Sequence, residues 1–365
     1  MTKRILQIIP TLDRSGAEKQ LCLLAVGLPR DEFDVHVCAL TRGGPLADDL
    51  TAAGVPLTVI GKRWKLDPLA YWRLKRHIER LQPDLIHTWM FAANTYGFAA
   101  ARAVGVKNVV IGQRCVDRWK SRLQLTVDRA LARRCRAVVV NSEAVCDFYV
   151  GHGTPAEQIH VIPNGVTPPT PTHTTRAQLL AELELPENSR LIGFVARLWP
   201  QKRVKDAVWS ADLLKVIRPD VHLLIIGDGP QREVLRRFRD LVQIRDRVHF
   251  LGARDDVPRL MPHFDVLWST SGYEGQSNAI LEAMASGVPV VATDIPGTRG
   301  LIVSEETGYL LPVGDRAAFA RYTERLLNDS ALASRLATAA REKVWREFSV
   351  EKMIERHAAL YRELL

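Results

Sequence analysis

The sequence predicts an α/β protein made of two Rossmann-like, doubly wound domains that face each other across a cleft. Three observations lead there. Apolar runs of strand length alternate with segments of helical length, a pattern that implies parallel sheets covered by helices. That alternation stops at residues 163–172, where four of ten residues are proline, and then starts again. The chain has 365 residues, which suits two domains at about 150 residues each.

The elements follow in order. In the first half, strands are expected at 5–9, 35–40, 57–60, 85–87, 109–111 and 138–140. Helices are expected at 17–28, 46–53, 69–81, 92–104, 123–134 and 143–149. The proline-rich stretch lacks any apolar period and reads as a linker. Beyond it, strands are expected at 191–195, 223–226, 248–251, 266–268 and 288–292. Helices are expected at 204–216, 232–241, 278–285, 317–327, 332–348 and 350–364. The resulting division is a first domain at 1–168, a linker region at 169–188, a second domain at 189–348 and a final helix at 349–365.

Composition excludes several classes. With 47% hydrophobic and 25% charged residues, the chain is neither disordered nor collagen-like. Five cysteines without a CxxC pair suggest no disulfide framework and no zinc cluster, and they fit a reducing cytoplasm. The apolar run 5–9, closed by Pro10, is too short for a signal-peptide core, and no run of 18 apolar residues could span a bilayer.

The formal charge is +9, and it is uneven. Arg114, Arg118, Lys120, Arg122, Arg129, Arg133, Arg134 and Arg136 are opposed only by Asp117 and Asp128. Such a stretch is either a solvated helix face or a contact for an anionic membrane, with Trp119, Leu123, Leu125 and Val127 as apolar material. No nucleic-acid motif accompanies it, so nucleic acid is not the expected partner.

In open α/β sheets ligands sit where strands end, so the residues after strands are the candidates. The loop 10–18 opens a helix, and Gly16 lets its backbone approach a ligand or simply makes a tight turn. It is neither GxGxxG nor a phosphate-binding P-loop. His87 ends the fourth strand in this reading. That position favours the cleft over the core, where it could donate to a sugar hydroxyl or a phosphate. Arg197 lies just past a strand and Lys202 at the next helix start, a pair suited to a diphosphate or simply two surface cations. Gly227-Asp228-Gly229-Pro230 is mainly a structural turn. In 271–282, Glu274 and Glu282 either each hold sugar hydroxyls or are simply a loop glutamate and a helix-surface glutamate. Between them, the backbone at Gln276, Ser277 and Asn278 offers N–H groups at a helix start. The histidines show no metal-ligand spacing, and no metal is expected.

Taken together, the motifs resemble the retaining glycosyltransferases of family 4 (glycosyl transferases group 1), which have the two-domain GT-B architecture. The matching stretches are 15–18, 141–143, 162–166, Arg197-Leu198 with Lys202, 227–230, Leu251-Gly252 and 274–291, nearly the whole chain. The resemblance implies that Arg197 and Lys202 bind the donor diphosphate and stabilise its departure. Glu274 would contact donor-sugar hydroxyls, Glu282 the nucleotide ribose, and Gln276–Asn278 phosphate or sugar. Gly16 would border the donor phosphate, His87 would face the transferred sugar, Arg254 would lie near the base, and the final helix would pack back on the first domain. It implies a nucleoside-diphosphate sugar as donor substrate, no cofactor and no metal. The acceptor would be a lipid-linked or cell-surface glycan, with a soluble acceptor left open, and the enzyme would be cytoplasmic, either free or peripheral on the cytoplasmic face of the inner membrane.

Ser15, Arg203, Pro296 and Gly300 depart from the usual pattern, where Gly, Gly, Gly and Glu are common. With the main site residues kept, those departures point to selectivity. A UDP-sugar is the first expectation for the donor and GDP-mannose the next. Competing readings are a nucleotide-sugar epimerase or a sugar-phosphate synthase on the same fold, or a non-catalytic nucleotide-sugar or RNA-binding protein. A dehydrogenase is disfavoured by the missing GxGxxG.

Overall fold

The computed structural model describes residues 2–169 and 171–365. Met1 and Thr170, in the expected first domain and linker, lie outside them. The chain forms two compact units, Met1–Gly165 with Ser349–Leu365, and Val166–Phe348.

The first unit runs β1 (Lys3–Ile9), α1 (Gly16–Gly27), β2 (Phe33–Ala39), α2 (Leu46–Ala52), β3 (Leu57–Val59), α3 (Pro68–Leu81) and β4 (Leu85–Trp89). It continues through α4 (Met90–Val104), β5 (Val109–Gln113), α5 (Arg122–Ala132), β6 (Ala137–Val140), α6 (Glu143–Gly151) and β7 (Ile159–Val161). Seven parallel strands lie in the order β3-β2-β1-β4-β5-β6-β7.

The second unit contains α7 (Arg176–Glu182), β8 (Arg190–Val195), α8 (Val204–Ile217), β9 (Val221–Ile226), α9 (Arg232–Leu241), β10 (Val248–Gly252) and α10 (Val257–Leu260). It is completed by β11 (Val266–Ser269), α11 (Asn278–Ala285), β12 (Val290–Thr293), α12 (Pro296–Arg299), β13 (Tyr309–Leu311), α13 (Arg316–Asn328) and α14 (Ser330–Glu347). Its six parallel strands lie in the order β10-β9-β8-β11-β12-β13. The last helix, α15 (Val350–Leu364), belongs to the first unit.

Each strand order doubles back once, between β1 and β4 and between β8 and β11, the arrangement of a doubly wound sheet. Both faces of each sheet are covered, so the strands read as continuous apolar runs. Alternation sorts their side chains. Ile5 and Ile9 join the core under α1 and α15, while Leu6 and Ile8 join the core on the opposite face. The second sheet divides in the same way, with Ile192 and Phe194 on one face and Leu191 on the other.

Local chemistry sets the helix boundaries. Asp67 caps α3 by accepting from Ala70 N at 2.9 Å, and Pro68 takes the first helical position. Ser121 and Gln124 form a capping box on α5.

The expected linker region 169–188 is not all linker. Thr175 and Gln178 form a capping box that starts α7, and Leu179 and Leu180 are buried in the second unit's core. Two three-residue strands, β7 and β13, were also not expected. They lie at sheet edges and are too short to show a period.

Candidate functional site

At the carboxyl edge of the second sheet, β8 runs out into the segment that carries Arg197. Its path is fixed by backbone contacts. Leu198 N donates to Asp228 O at 2.9 Å, and Gln231 N donates to Leu198 O at 3.2 Å. Gly227, with φ +136°, lies so close that a Cβ there would overlap the Ala196 carbonyl oxygen, and one on Gly229 would come within 2.7 Å of Leu198 O. The Gly227-Asp228-Gly229 turn is therefore the support on which the Arg197 segment rests. Arg197 itself is exposed, with its guanidinium 4.9 Å from the centre of the Trp199 ring.

Lys202 ends a short turn before α8, and its ammonium donates to Glu274 Oε1. Ser271 Oγ donates to the same oxygen at 2.7 Å. No partner reaches Glu274 Oε2 among the described residues, so one oxygen of a buried carboxylate is available to a ligand hydroxyl. Thr270 ties this pair together from behind, with its hydroxyl 2.9 Å from Lys202 O and 3.1 Å from Arg203 O. Gly297, at the start of α12, packs on the same loop, and a Cβ there would lie 2.5 Å from Glu274 O. That close approach explains a glycine in the Pro296-Gly297 segment.

Gln276 and Ser277 lead into α11, and Asn278 is its first residue. Ser277 caps the helix through Ile280 N, leaving the first turn's other N–H groups at the edge of the sheet. Glu282 lies one turn further on and is half-buried. Arg197, Lys202, Glu274, Gln276 and Ser277 thus lie on segments that follow strands of one sheet, with Asn278 and Glu282 on α11.

Arg254 is committed elsewhere. Its guanidinium donates to Asp256 at 2.7 Å and to Glu182 at 2.9 Å, and Arg259 grips the same two carboxylates. These hydrogen bonds hold Asp256 well below the usual carboxylate range and raise Arg254. The cluster fastens α7 to the segment before α10 and commits Nε and Nη2 of Arg254 to these carboxylates.

In the first unit, Gly16 opens α1 after β1, and the Ser15 hydroxyl bonds to Glu18 rather than capping the helix backbone. His87 departs most from expectation. The strand extends to Trp89, so His87 lies two residues inside it, and the residue is fully buried. Leu85 and Trp89 pack on the face that α15 covers and Ile86 on the other, so alternation turns His87 toward α15 as well. His87 therefore packs in the core of its domain.

A chain of donors fixes its tautomer. The Trp89 indole N–H can only donate, and it does so to Gln7 Oε1 at 2.7 Å. Gln7 Nε2 then donates to the Tyr361 hydroxyl at 2.9 Å. That hydroxyl lies 2.7 Å from His87 Nδ1, and since its own proton has no other acceptor among the described residues we assign it as the donor, which puts the His87 proton on Nε2. Burial, then His357 and Arg114, push the His87 pKa well below its ordinary value, so the ring is neutral. His357 is pushed down to about 3, mainly by burial. Its Nδ1–H donates to Met353 O at 2.8 Å, which leaves Nε2 a bare acceptor.

Beside these rings, Arg114 follows directly on β5. Its guanidinium is 4.7 Å from the centre of the Trp89 ring and donates through Nη2 to Asn164 Oδ1. Burial lowers its pKa to about 9. Sequence reading placed Arg114 and Lys120 in a surface patch, and the structure corrects both. Lys120 is buried between Asp117 and Asp128, each 2.8 Å away. The exposed remainder is Arg118, Arg122, Arg133, Arg134 and Arg136, with Trp119 and Leu123 also exposed. Trp64, Leu66, Leu69 and Trp72 form further exposed apolar surface near Lys62, Arg63 and Lys65.

Among the described residues no group of three or more His, Cys, Asp or Glu could hold a metal ion. No helix among them is long and apolar enough to cross a membrane.

Residues 14–168 match the model for Glycosyltransferase Family 4, and residues 175–343 match that for Glycosyl transferases group 1. The chain is 33% identical over 188 residues to the N-acetyl-α-D-glucosaminyl L-malate synthase of Bacillus anthracis, covering 52% of this chain and about half, 49%, of that relative. It is 27% identical to the UDP-Gal:α-D-GlcNAc-diphosphoundecaprenol α-1,3-galactosyltransferase of Escherichia coli, covering 98% of this chain and 96% of that one. Among solved structures, Anabaena HepE in complex with UDP-glucose superposes with a TM-score of 0.89 at 24% identity, over 99% of both chains. The sucrose-phosphate synthase of Thermosynechococcus elongatus superposes with a TM-score of 0.80 at 23% identity, over 99% of both chains. At such identities these two likenesses show the fold alone.

Proposed function

The chain belongs to the glycosyltransferases of family 4 and group 1, and from that premise we propose that it moves a sugar from a nucleoside-diphosphate sugar to a hydroxyl of a glycan or glycolipid acceptor. The observation that carries this reading is the Lys202–Glu274 pair, set beside the exposed Arg197 at the carboxyl edge of the second sheet. A cation and an open carboxylate oxygen within one hydrogen bond of each other match a substrate that joins a phosphate to a hydroxyl-bearing sugar.

Lys202 and Arg197 take the diphosphate, and Glu274 Oε2 accepts from a sugar hydroxyl. Glu282 holds the ribose, and the backbone around Gln276–Asn278 donates to phosphate. As the glycosidic bond breaks, negative charge grows on the leaving phosphate. Arg197 and Lys202 stabilise it electrostatically, without a metal. The acceptor oxygen attacks from the face that the phosphate leaves, the departing phosphate takes the acceptor proton, and the anomeric configuration is retained.

Uridine donors come first, supported by the name of the Escherichia coli relative. GDP-mannose comes next, supported by a 27% identical GDP-mannose-dependent α-mannosyltransferase of Mycobacterium tuberculosis. A lipid-linked acceptor agrees with the exposed Trp and Leu side chains beside Arg118, Arg122, Lys62 and Arg63, a surface suited to an anionic membrane from the cytoplasmic side.

The test is nucleoside-diphosphate release from a panel of nucleotide sugars, with and without membrane extract and with excess chelator. Release from one donor, raised by extract and unchanged by chelator, is the expected result. Absence of both release and donor binding across the panel would overturn the reading.

A further inference from the structure

At the carboxyl edge of the first sheet, four side chains keep buried polar atoms without a hydrogen-bond partner among the described residues: His87 Nε2, Arg114 Nε and Nη1, Asn141 Oδ1 and His357 Nε2. They are brought together by topology. His87 is on β4, Arg114 follows β5 and Asn141 follows β6, three neighbouring strands, and α15 lays His357 over them. The His87 and His357 rings are 5.8 Å apart, and each stacks on Trp89, which also lies under Arg114. Asn141 Nδ2 donates to Arg114 O at 3.0 Å and steadies the turn.

Three of the unpartnered groups are donors, and one of those residues carries a charge. No carboxylate pairs with Arg114 among the described residues. Its partners are a neutral amide and an indole face. An uncompensated buried charge is costly, whereas water could satisfy the N–H groups but not the charge. Removal of such a cost by a ligand is a familiar reason for a site to retain it.

We propose that Arg114, with His87 Nε2–H, forms a binding site for an oxyanion, a phosphate or a carboxylate. His357 Nε2 and Asn141 Oδ1 have no proton to offer, so they take a hydroxyl or a water beside the oxyanion. The inference rests on the nucleotide-sugar reading, which makes two sources of oxyanion available: the donor diphosphate and an anionic group on the acceptor.

The test uses the full chain and inorganic phosphate, titrated alone and against saturating UDP, with thermal melting and calorimetry on wild type, Arg114→Gln and Arg114→Lys. Phosphate is expected to raise the wild-type melting temperature. Arg114→Gln should bind it about tenfold or more weakly, as for loss of a charge-assisted bond, and Arg114→Lys should fall between. Without phosphate, Arg114→Gln should melt no lower than wild type. If UDP abolishes the Arg114-dependent phosphate response, the oxyanion is the donor's, and if the two effects add, it is the acceptor's. Equal phosphate affinity in wild type and Arg114→Gln, or no phosphate binding by wild type, overturns the proposal. So does a ligand-free Arg114→Gln that melts several degrees lower, since the arginine would then be a structural strut. Failure of wild type to bind UDP, with an intact Arg114-dependent phosphate response, would count against the nucleotide reading instead.

Discussion

At the carboxyl edge of the second sheet, the buried carboxylate of Glu274 meets the Lys202 ammonium, and Arg197 lies in solvent over Trp199. At the same edge of the first sheet, Arg114 is set among a neutral amide, an indole and two imidazoles held neutral. The strand orders around these places are alike. The difference is that one edge balances its charge internally and the other leaves it open. At the paired edge Glu274 stays in place when a diphosphate arrives, so the added negative charge falls to Lys202 and the exposed Arg197. An unpaired edge gains most when an anion arrives. Topology places both sites, and the side chains decide what each can receive.

The largest expected effect lies at the paired edge. Arg197→Ala should lower the rate of nucleoside-diphosphate release by about 10²–10³-fold, the usual loss when a group aimed at developing charge is removed. Donor affinity should fall by less, because Lys202 and the α11 amide groups remain. Steady-state kinetics with direct donor titration separate the two. Equal losses in rate and affinity would make Arg197 a ground-state binder and weaken the contrast with Arg114.

A smaller effect follows from the histidines. His357 is held down to about 3 in the folded first unit, against about 6.5 for an unfolded chain. Between those values the unfolded state binds more protons, so stability rises with pH and is lost as pH falls below about 6.5. The slope approaches about 1.4 kcal/mol per pH unit for one group. In the second unit, His222 is held down to about 4, mainly by burial, and accepts from Arg247 at 3.2 Å. His357→Gln should therefore flatten the melting temperature against pH 5–7 at least as much as His222→Gln does. A steeper profile in His357→Gln would show that its ring is protonated in the folded protein.

Much of this was legible in the sequence. Apolar runs gave the long strands, and Asn278–Ala285 and Val350–Leu364 are helices at the expected places. Arg197 lies two residues past β8, and Lys202 and Glu274 lie further along the segments that follow β8 and β11, the kind of place the strand pattern marks out. His87 was misplaced because the apolar run ends at Ile86, while the strand continues through His87, Thr88 and Trp89 on hydrogen bonds to β1 and β5. Period-two counting from Leu85 would have put its side chain on the covered face. Arg114 and Lys120 were misread because a count of charges along the chain does not show which of them follow a strand end or fold inward. His357 and Tyr361 share a helix face with Met353 at a spacing of four, a signal that was available. The meeting of Tyr361 with Gln7, some 350 positions away in the chain, was not.

The smallest effect concerns Arg203, which stands where the family commonly has glycine. The structure gives a backbone reason for the glycine: Arg203 adopts φ 49° and ψ 39°, the left-handed region that favours it. A side chain there costs about 1 kcal/mol. Offsetting this, the guanidinium bonds Asp206 at 2.7 Å, and Arg316 holds the other oxygen of that carboxylate at 2.9 Å. Arg203 is part-exposed, and the buried Asp206 keeps Arg316 as a second partner, so this pair contributes about 1 kcal/mol. The two terms nearly cancel, so Arg203→Gly should keep the melting temperature within about 2 °C of wild type. Arg203→Ala loses the ion pair but keeps the strained backbone, and it should be less stable than Arg203→Gly by about 1 kcal/mol. If both variants are equally destabilised, the ion pair outweighs the strain. The charge balance of the second edge would then extend beyond Lys202 and Glu274 to Asp206, making the contrast with Arg114 sharper.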